Sequence, residues 1–246
     1  MTPEKISKRR FLKTTGGVFL GTLISPAVSW GNSQSSKHIT KEIGQFDLPD
    51  LPYSYDALEP YIDEQTMRIH HTKHHAGYTK KLNAAIESLP RFKDRGIIDI
   101  LETVTSEKDQ EKVRQNGGGY FNHSLYWNIM SPKGGGKPSG VLLDKIDQAF
   151  GSYENFVLEF KGAAGSVFGS GWAWLSKNQE GNLFISSTAN QDNPHMSMIV
   201  DAPGTPILGV DIWEHAYYLK HQNKRAEYID SFFQVINWNQ VSENLL

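Results

Sequence analysis

The sequence predicts an α+β protein in which a long helical hairpin domain precedes an α/β domain with a small antiparallel three-stranded sheet. Three observations predict this class. Residues 63–89 contain a single glycine and no proline, residues 131–138 form a Gly/Pro-rich linker, and short strand-like segments follow only after that linker. With 246 residues, the chain can form one or two domains with hydrophobic cores.

The first 29 residues are predicted to be an export signal rather than a folded element. A basic stretch precedes an apolar stretch that is too short to span a bilayer, and Ala27-Val28-Ser29 offers the small residues that a signal peptidase needs. Arg9-Arg10 followed by Phe-Leu-Lys resembles a twin-arginine signal; an ordinary secretory signal or a basic tail is the alternative. We expect residues 1–29 to direct export to the periplasm or secretion, with no stable membrane insertion after their removal.

Residues 30–45 are predicted to be a linker, and residues 46–131 the hairpin domain. Its first helix is expected from Asp63 to about Leu89, where Pro90 stops it. The second is expected over residues 112–130, interrupted or bent at three consecutive glycines, 117–119.

Residues 139–246 are predicted to form the C-terminal domain. Two helices are expected first, the second with Ser152 as its N-cap. The predicted elements are helices over 141–150 and 153–168, strands over 172–176, 182–187 and 206–212, and helices over 213–220 and 226–237.

Composition limits the chemistry. The absence of cysteine excludes disulfides, thiolate catalysis and cysteine-ligated metal sites, so any metal must bind through nitrogen and oxygen. The formal charge of −2 gives no basic surface for nucleic acid. Removing residues 1–29 takes away five basic residues and one acidic residue, and the remaining 20 basic and 26 acidic residues give a charge of −6.

Histidines occur where a metal site could be built. Four lie within residues 70–75, His123 lies in the second predicted helix, and Asp211 and His215 are four residues apart. Each group alone is more often a surface or core feature. Together, three imidazoles and a carboxylate suit manganese or iron, although zinc is chemically possible.

Six segments of the chain resemble the iron/manganese superoxide dismutases. They occur in family order, cover nearly all of residues 46–240, and include the specific block Asp-x-Trp-Glu-His-Ala-Tyr-Tyr at 211–218. The segments are residues 51–60, 69–78, 122–127, 168–175, 188–194 and 211–219.

The resemblance implies a role for particular residues. The implied metal ligands are His70, His123, Asp211 and His215. The implied outer residues are His74 and Tyr78 at the substrate entrance, Gln191 as an amide donor beside the metal, and Glu214. His71 and His75 receive no role from the resemblance, and we expect them to be surface or helix-packing residues.

The resemblance also implies activity, cofactor and assembly. The expected reaction is disproportionation of superoxide to dioxygen and hydrogen peroxide by one redox-active metal ion per subunit. Gly119 and Gln191 resemble the manganese-type pattern, so manganese is preferred and iron is possible. A homodimer is expected, with a tetramer as the alternative, bridged by Glu214 to His215 and by His74 to Tyr218 of the other subunit.

Two alternatives stay open. An exported metal-storage protein would keep the four ligands but would have no need of Tyr78 and Gln191. A zinc hydrolase would need a further general base near the metal, and only Glu214 is available in the sequence nearby.

Overall fold

The first domain is built around a helical hairpin, and one arm of this hairpin contains a π-helical turn. The computed structural model describes residues 46–246. Helix α1 (Glu64–Ile69) runs into the turn His70–His75, which continues as helix α2 (Ala76–Glu87). Asp63 caps the start of this arm, because its Oδ1 accepts from the backbone N–H of Thr66 at 2.8 Å. π-Helical turns are rare and frequently occur at functional sites.

The other arm is helix α4 (Glu111–Asn128), which runs without a break through the glycines. The predicted interruption at 117–119 is therefore wrong. Gly118 and Gly119 allow other residues to pack closely against the helix: a Cβ on Gly118 would lie 2.0 Å from the carbonyl oxygen of Gln191, and one on Gly119 would lie 2.4 Å from the ring of Tyr78.

Between the two arms, the chain forms elements that the sequence did not predict. A short 3₁₀ turn, Pro90–Phe92, is followed by helix α3 (Ile97–Thr103). Ile97, Ile100 and Leu101 of this helix are buried and pack in the core beside α4. With only seven residues, α3 is too short for its periodicity to stand out in the sequence.

The second domain contains two helices followed by the sheet. Helix α5 (Val141–Phe150) has its predicted bounds, and helix α6 (Tyr153–Ser166) begins after Ser152, whose side chain accepts from Asn155 N–H as predicted.

Strands β1 (Gly171–Lys177), β2 (Leu183–Ala189) and β3 (Thr205–Asp211) form an antiparallel sheet in the order β2-β1-β3. The predicted three-stranded sheet and the α+β class are thus confirmed. Strand β1 is central, and its tryptophans Trp172 and Trp174 are fully buried.

The predicted helix over 213–220 is wrong. The chain turns instead through the 3₁₀ segment Glu214–Ala216 and the single helical turn α7 (Tyr218–His221). The reason is local: the Asp211 side chain accepts from the backbone N–H of Trp213 at 2.8 Å, which favours a turn at the end of β3. The chain ends with helices α8 (Arg225–Phe233) and α9 (Trp238–Leu245), the second of which was not predicted.

Two sequence predictions fall outside the described residues: the export signal over 1–29 and the linker over 30–45. Within residues 46–246, none of the helices has the length and apolar character needed to cross a bilayer.

Candidate metal centre

Four side chains from four separate elements point their ligand atoms at one buried place. His70 begins the π-helical turn, His123 lies in α4, Asp211 ends β3, and His215 lies in the 3₁₀ segment that follows. One nitrogen or oxygen atom of each lies within 4.8 Å of those of the other three. His70, His123 and Asp211 are completely or almost completely buried.

The four converging atoms lack hydrogen-bond partners among residues 46–246. They are His70 Nε2, His123 Nε2, His215 Nε2 and Asp211 Oδ2. The three nitrogens lie 3.1, 3.6 and 3.3 Å from Asp211 Oδ2, respectively, without hydrogen-bond geometry. Unpartnered buried polar atoms are costly, so this arrangement fits a metal ion that binds all four.

The remaining polar atoms of two ligands are held by the protein. His123 Nδ1 lies 2.6 Å from the carbonyl oxygen of Gly119, which can only accept, so Nδ1 carries the proton and Nε2 keeps its lone pair. Asp211 Oδ1 accepts from the backbone N–H of Trp213, and this leaves Oδ2 for the site. Such outer hydrogen bonds orient metal ligands and tune the metal.

Burial and charge favour the protonation states that a metal needs. Burial lowers the pKa of His70 to about 4 and holds the pKa of His123 well below its usual range. Burial alone would raise the pKa of Asp211, but His215 and His70 beside it lower that pKa below its ordinary value. At neutral pH, His70 and His123 therefore offer neutral imidazoles and Asp211 offers a carboxylate.

Gln191 and Tyr78 form a hydrogen-bonded pair beside the ligands. The Gln191 amide oxygen accepts from Trp172 Nε1 and from Asn122 Nδ2, each at 3.1 Å. Because both groups are donors, the amide nitrogen must face the other way, where it donates to the Tyr78 hydroxyl at 3.1 Å. The ring of Tyr78 lies 5.2 Å from that of His123.

The loop that carries Gln191 is held by α4. Arg114 of this helix binds the Asp192 carboxylate with two hydrogen bonds of 2.7 and 2.6 Å. Asn122 donates to the carbonyl of Gln191 at 3.0 Å and accepts from Asn193 at 2.8 Å. Two hydrogen bonds from one guanidinium to one carboxylate fix the relative orientation of the two groups and stabilise the contact. The loop therefore has little freedom to move.

His74 is half-buried at the edge of the centre. Its ring stacks on that of His215 with a centroid distance of 4.0 Å, and burial lowers its pKa to about 4. Tyr218, its expected partner in another subunit, is more than half exposed in this chain.

Glu214 contacts residues other than its own chain's ligands. Its exposed carboxylate accepts from Ser170 Oγ at 3.1 Å and lies 3.8 Å from Arg225.

His71 and His75 are both buried, so the expectation of a surface location is wrong for both and that of helix packing is correct. His75 Nδ1 accepts from Trp127 Nε1 at 2.9 Å, and its ring stacks on that of His123 with centroids 5.5 Å apart. His71 lies 2.8 Å from the carbonyl of Pro49 and 3.0 Å from the Tyr55 hydroxyl.

The contacts of Asn122, Arg114 and Trp127 were not predicted from the sequence. These contacts join residues that are 52 to 78 positions apart, so no local sequence pattern predicts them.

Comparison with known proteins matches both halves of the chain. Residues 45–131 match the family model described as iron/manganese superoxide dismutases, alpha-hairpin domain, and residues 138–244 match the model of the C-terminal domain.

Three curated relatives resemble the chain along most of their own length. It is 51% identical over 197 residues to "Superoxide dismutase [Mn]" of Pseudomonas aeruginosa, covering 79% of this chain and 94% of the relative. It is 48% identical over 200 residues to the protein of the same name from Listeria innocua, covering 80% and 96%. It is 48% identical over 198 residues to "Superoxide dismutase [Mn] 1" of Leptolyngbya boryana, covering 80% and 79%. The chain therefore belongs to the iron/manganese superoxide dismutases.

Proposed function

We propose that the protein is a superoxide dismutase that uses manganese held by His70, His123, Asp211 and His215. The observation that carries this proposal is the convergence of four buried, unpartnered ligand atoms beside the Gln191–Tyr78 pair. Manganese-named relatives at 48–51% identity support the choice of metal, and iron remains compatible with the same ligands.

The reaction converts two superoxide ions and two protons into dioxygen and hydrogen peroxide. When bound, manganese supplies the one-electron chemistry, oxidising one superoxide and reducing the next. The protein supplies the geometry and the control of protons. Burial, followed by the charge of Asp211, raises the pKa of Tyr78 to about 12, so its hydroxyl holds a proton throughout the physiological range.

Gln191 and His74 complete the arrangement. The Gln191 amide keeps Tyr78 in place and presents a fixed dipole toward the ligands. His74 is neutral at neutral pH and, by stacking on His215, limits the positions which that ligand can take.

The two alternative functions lack support from the same geometry. A storage protein has no use for an amide oriented by two donors against a tyrosine hydroxyl. A zinc hydrolase needs a general base beside the metal, and the carboxylate of Glu214 faces Ser170 and Arg225 instead.

Reconstitution of the metal-free protein tests the assignment. We expect one manganese ion per chain and high superoxide consumption with manganese, with lower activity after iron loading. Full metal binding without superoxide consumption would favour storage, whereas activity only with zinc on a hydrolysable ester would favour a hydrolase.

We also propose that the protein is an isologous homodimer. Phe168 is fully exposed, and Tyr218 and Leu219 are more than half exposed. Phe168 lies next in sequence to Val167 and Gly169, whose carbonyls accept from Arg225. The Glu214 carboxylate is exposed and can therefore accept a further hydrogen bond from His215 of a second copy. A tetramer would require a further interface.

Export is the third part of the proposal. The basic and apolar composition of residues 1–29 supports a twin-arginine route to the periplasm, or secretion. Arg9→Lys combined with Arg10→Lys should leave active, unprocessed protein inside the cell. Unimpaired export of that variant would favour the general secretory route.

A further inference from the structure

A polar cavity lies away from the metal centre, where strand β1 ends and strand β3 begins. Its volume is about 520 Å³, and none of the four metal-centre ligands lines it. Its walls come from the turn after β1, the start of β3, the segment after Asn193 and the last turn of α3. Residues with polar side chains on these walls include Glu102, Asn178, Glu180, His195 and Ser197.

His195 is a buried imidazole in the wall of this cavity. Only 8% of the residue is exposed, and its ring packs edge-on against Phe121 with centroids 4.9 Å apart. Its backbone N–H donates to Asn193 Oδ1 at 3.1 Å, so the backbone at this position is fixed as well. Within residues 46–246, neither ring nitrogen makes a hydrogen bond.

The Glu102 carboxylate lies near the His195 ring. Glu102 Oε1 lies 3.9 Å from His195 Nδ1, which is too far for a hydrogen bond. A tetrahedral cation about 2.1 Å from both atoms would hold them roughly 3.4 Å apart. A shift of the Glu102 carboxylate by about 0.5 Å would therefore bring both atoms onto one ion. Glu102 is exposed and able to adjust its angle, whereas His195 is fixed.

The protonation state and the surrounding charge suit a cation. Burial lowers the pKa of His195 to about 4, so at neutral pH the ring is neutral and no proton competes for its lone pair. Glu180 adds a second carboxylate to the walls. Lys177 also lines the cavity, and its ammonium group donates to the carbonyl oxygen of Leu245.

We propose that His195 and Glu102 bind a second divalent cation of borderline softness, Zn²⁺ or Cu²⁺, in this cavity. An imidazole and a carboxylate select such ions over Mg²⁺ or Ca²⁺, which prefer sites made of oxygen alone. The remaining coordination positions would be filled by water from the cavity. This site is separate from the manganese centre and does not depend on the proposed function.

Zinc titration of the full-length, manganese-loaded protein tests the site. Calorimetry with Zn²⁺, checked by counting both metals after desalting, should give one zinc per chain without loss of manganese. His195→Leu should remove that equivalent, and Glu102→Gln should weaken binding roughly tenfold or more. His221→Leu is the matched control, since it removes a histidine elsewhere and should leave the equivalent intact.

Paramagnetic resonance with Cu²⁺ gives an independent measurement. The bound ion should show coupling to one imidazole nitrogen, and His195→Leu should abolish this signal. Retained manganese in each variant shows that the fold has survived. Equal zinc uptake by the wild type and His195→Leu, or no uptake by either, would overturn the proposal. A water molecule would then be the expected occupant of the space between His195 and Glu102.

Discussion

The amide nitrogen of Gln191 lies 3.1 Å from the hydroxyl oxygen of Tyr78, and this hydrogen bond joins residues 113 positions apart. It connects the loop after β2 to helix α2, directly beside the four ligands. The amide cannot reverse its direction, because Trp172 and Asn122 both donate to its oxygen. The pair is therefore rigid, and its disruption should affect activity more than it affects folding.

Replacement of Gln191 by Leu tests this relationship. The variant loses the donor to Tyr78 and leaves the buried Trp172 indole N–H without an acceptor, whereas Asn122 keeps the backbone carbonyl at position 191. We expect superoxide consumption per bound manganese to fall roughly 10–100-fold, the range typical for residues that orient a metal site. Gln191→Glu keeps an acceptor for both donors and should retain more manganese than Gln191→Leu. An unchanged rate per manganese in the Leu variant would show that the amide has no role in turnover.

Gly119 controls the position of Tyr78. A Cβ at this position would lie 2.4 Å from the tyrosine ring, so Gly119→Ala must displace that ring and lengthen its bond to Gln191. We expect activity per manganese to fall although alanine favours a helix. Gly77→Ala is the matched control: no atom lies within 4 Å of its added Cβ, and it should raise the free energy of unfolding by up to about 1 kcal/mol. Full activity of Gly119→Ala would contradict the prediction.

These glycines also show where sequence reasoning stops. Three glycines in a helical stretch predicted a bend, because glycine weakens an isolated helix. The structure uses Gly118 and Gly119 for contact with Gln191 and Tyr78, residues 73 and 41 positions away along the chain. Such contacts depend on the tertiary fold, so the local pattern could not predict them.

Other elements followed local rules and were predicted well. Helix α5 and the Ser152 cap depend on nearby residues, and both were correct. The segment after Asp211 has helical periodicity but turns, since the Asp211 side chain binds the backbone of Trp213. The proposed metal ligands came from a resemblance to a family; periodicity alone would not have selected His70 over His71.

The ion pair between Arg114 and Asp192 should hold the Gln191 loop in place. Both side chains are largely buried, with 19% and 9% of their area exposed. A double-mutant cycle with Arg114→Gln and Asp192→Asn should give a coupling energy of about 1–3 kcal/mol in the free energy of unfolding. Arg114→Gln alone should also lower activity per manganese.

The exposed pair Arg91–Asp109 provides the control for this cycle. With about half of each side chain exposed, its coupling should stay below about 1 kcal/mol and its variants should keep full activity. Equal coupling energies for the two pairs would mean that Arg114 is an ordinary surface charge.

Glu214→Ala tests the proposed dimer. If Glu214 accepts from the partner's ligand histidine, its loss leaves one N–H unpaired at each of the two symmetric contacts in the interface, at roughly 1–3 kcal/mol per site. We expect weaker dimerisation in sedimentation, together with lower manganese content. Glu227→Ala is the control, because Glu227 is paired with Lys224 within its own chain and should leave both properties unchanged. A Glu214→Ala protein that stays dimeric and fully metallated would show that the bridge is absent.

His195 should make stability depend on pH in a defined direction. Burial lowers its pKa in the folded protein to about 4, against 6.5 when exposed. The unfolded chain therefore takes up this proton first as the pH falls. The stabilisation that the neutral ring contributes is complete above pH 6.5 and is lost between pH 6.5 and about 4, to a total of about 3 kcal/mol.

Denaturant unfolding of the wild type and His195→Leu in zinc-free buffer measures this contribution. The difference in the free energy of unfolding between the two proteins should be constant above pH 7. As the pH falls toward 5, the wild type should lose more stability than the variant. Leucine lacks a titrating group, so only the histidine's proton is removed from the comparison, while the other buried histidines contribute equally to both curves. Parallel curves down to pH 4.5 would mean that His195 protonates as easily in the folded protein as in the unfolded chain, and that its ring is not confined between Phe121 and the cavity wall.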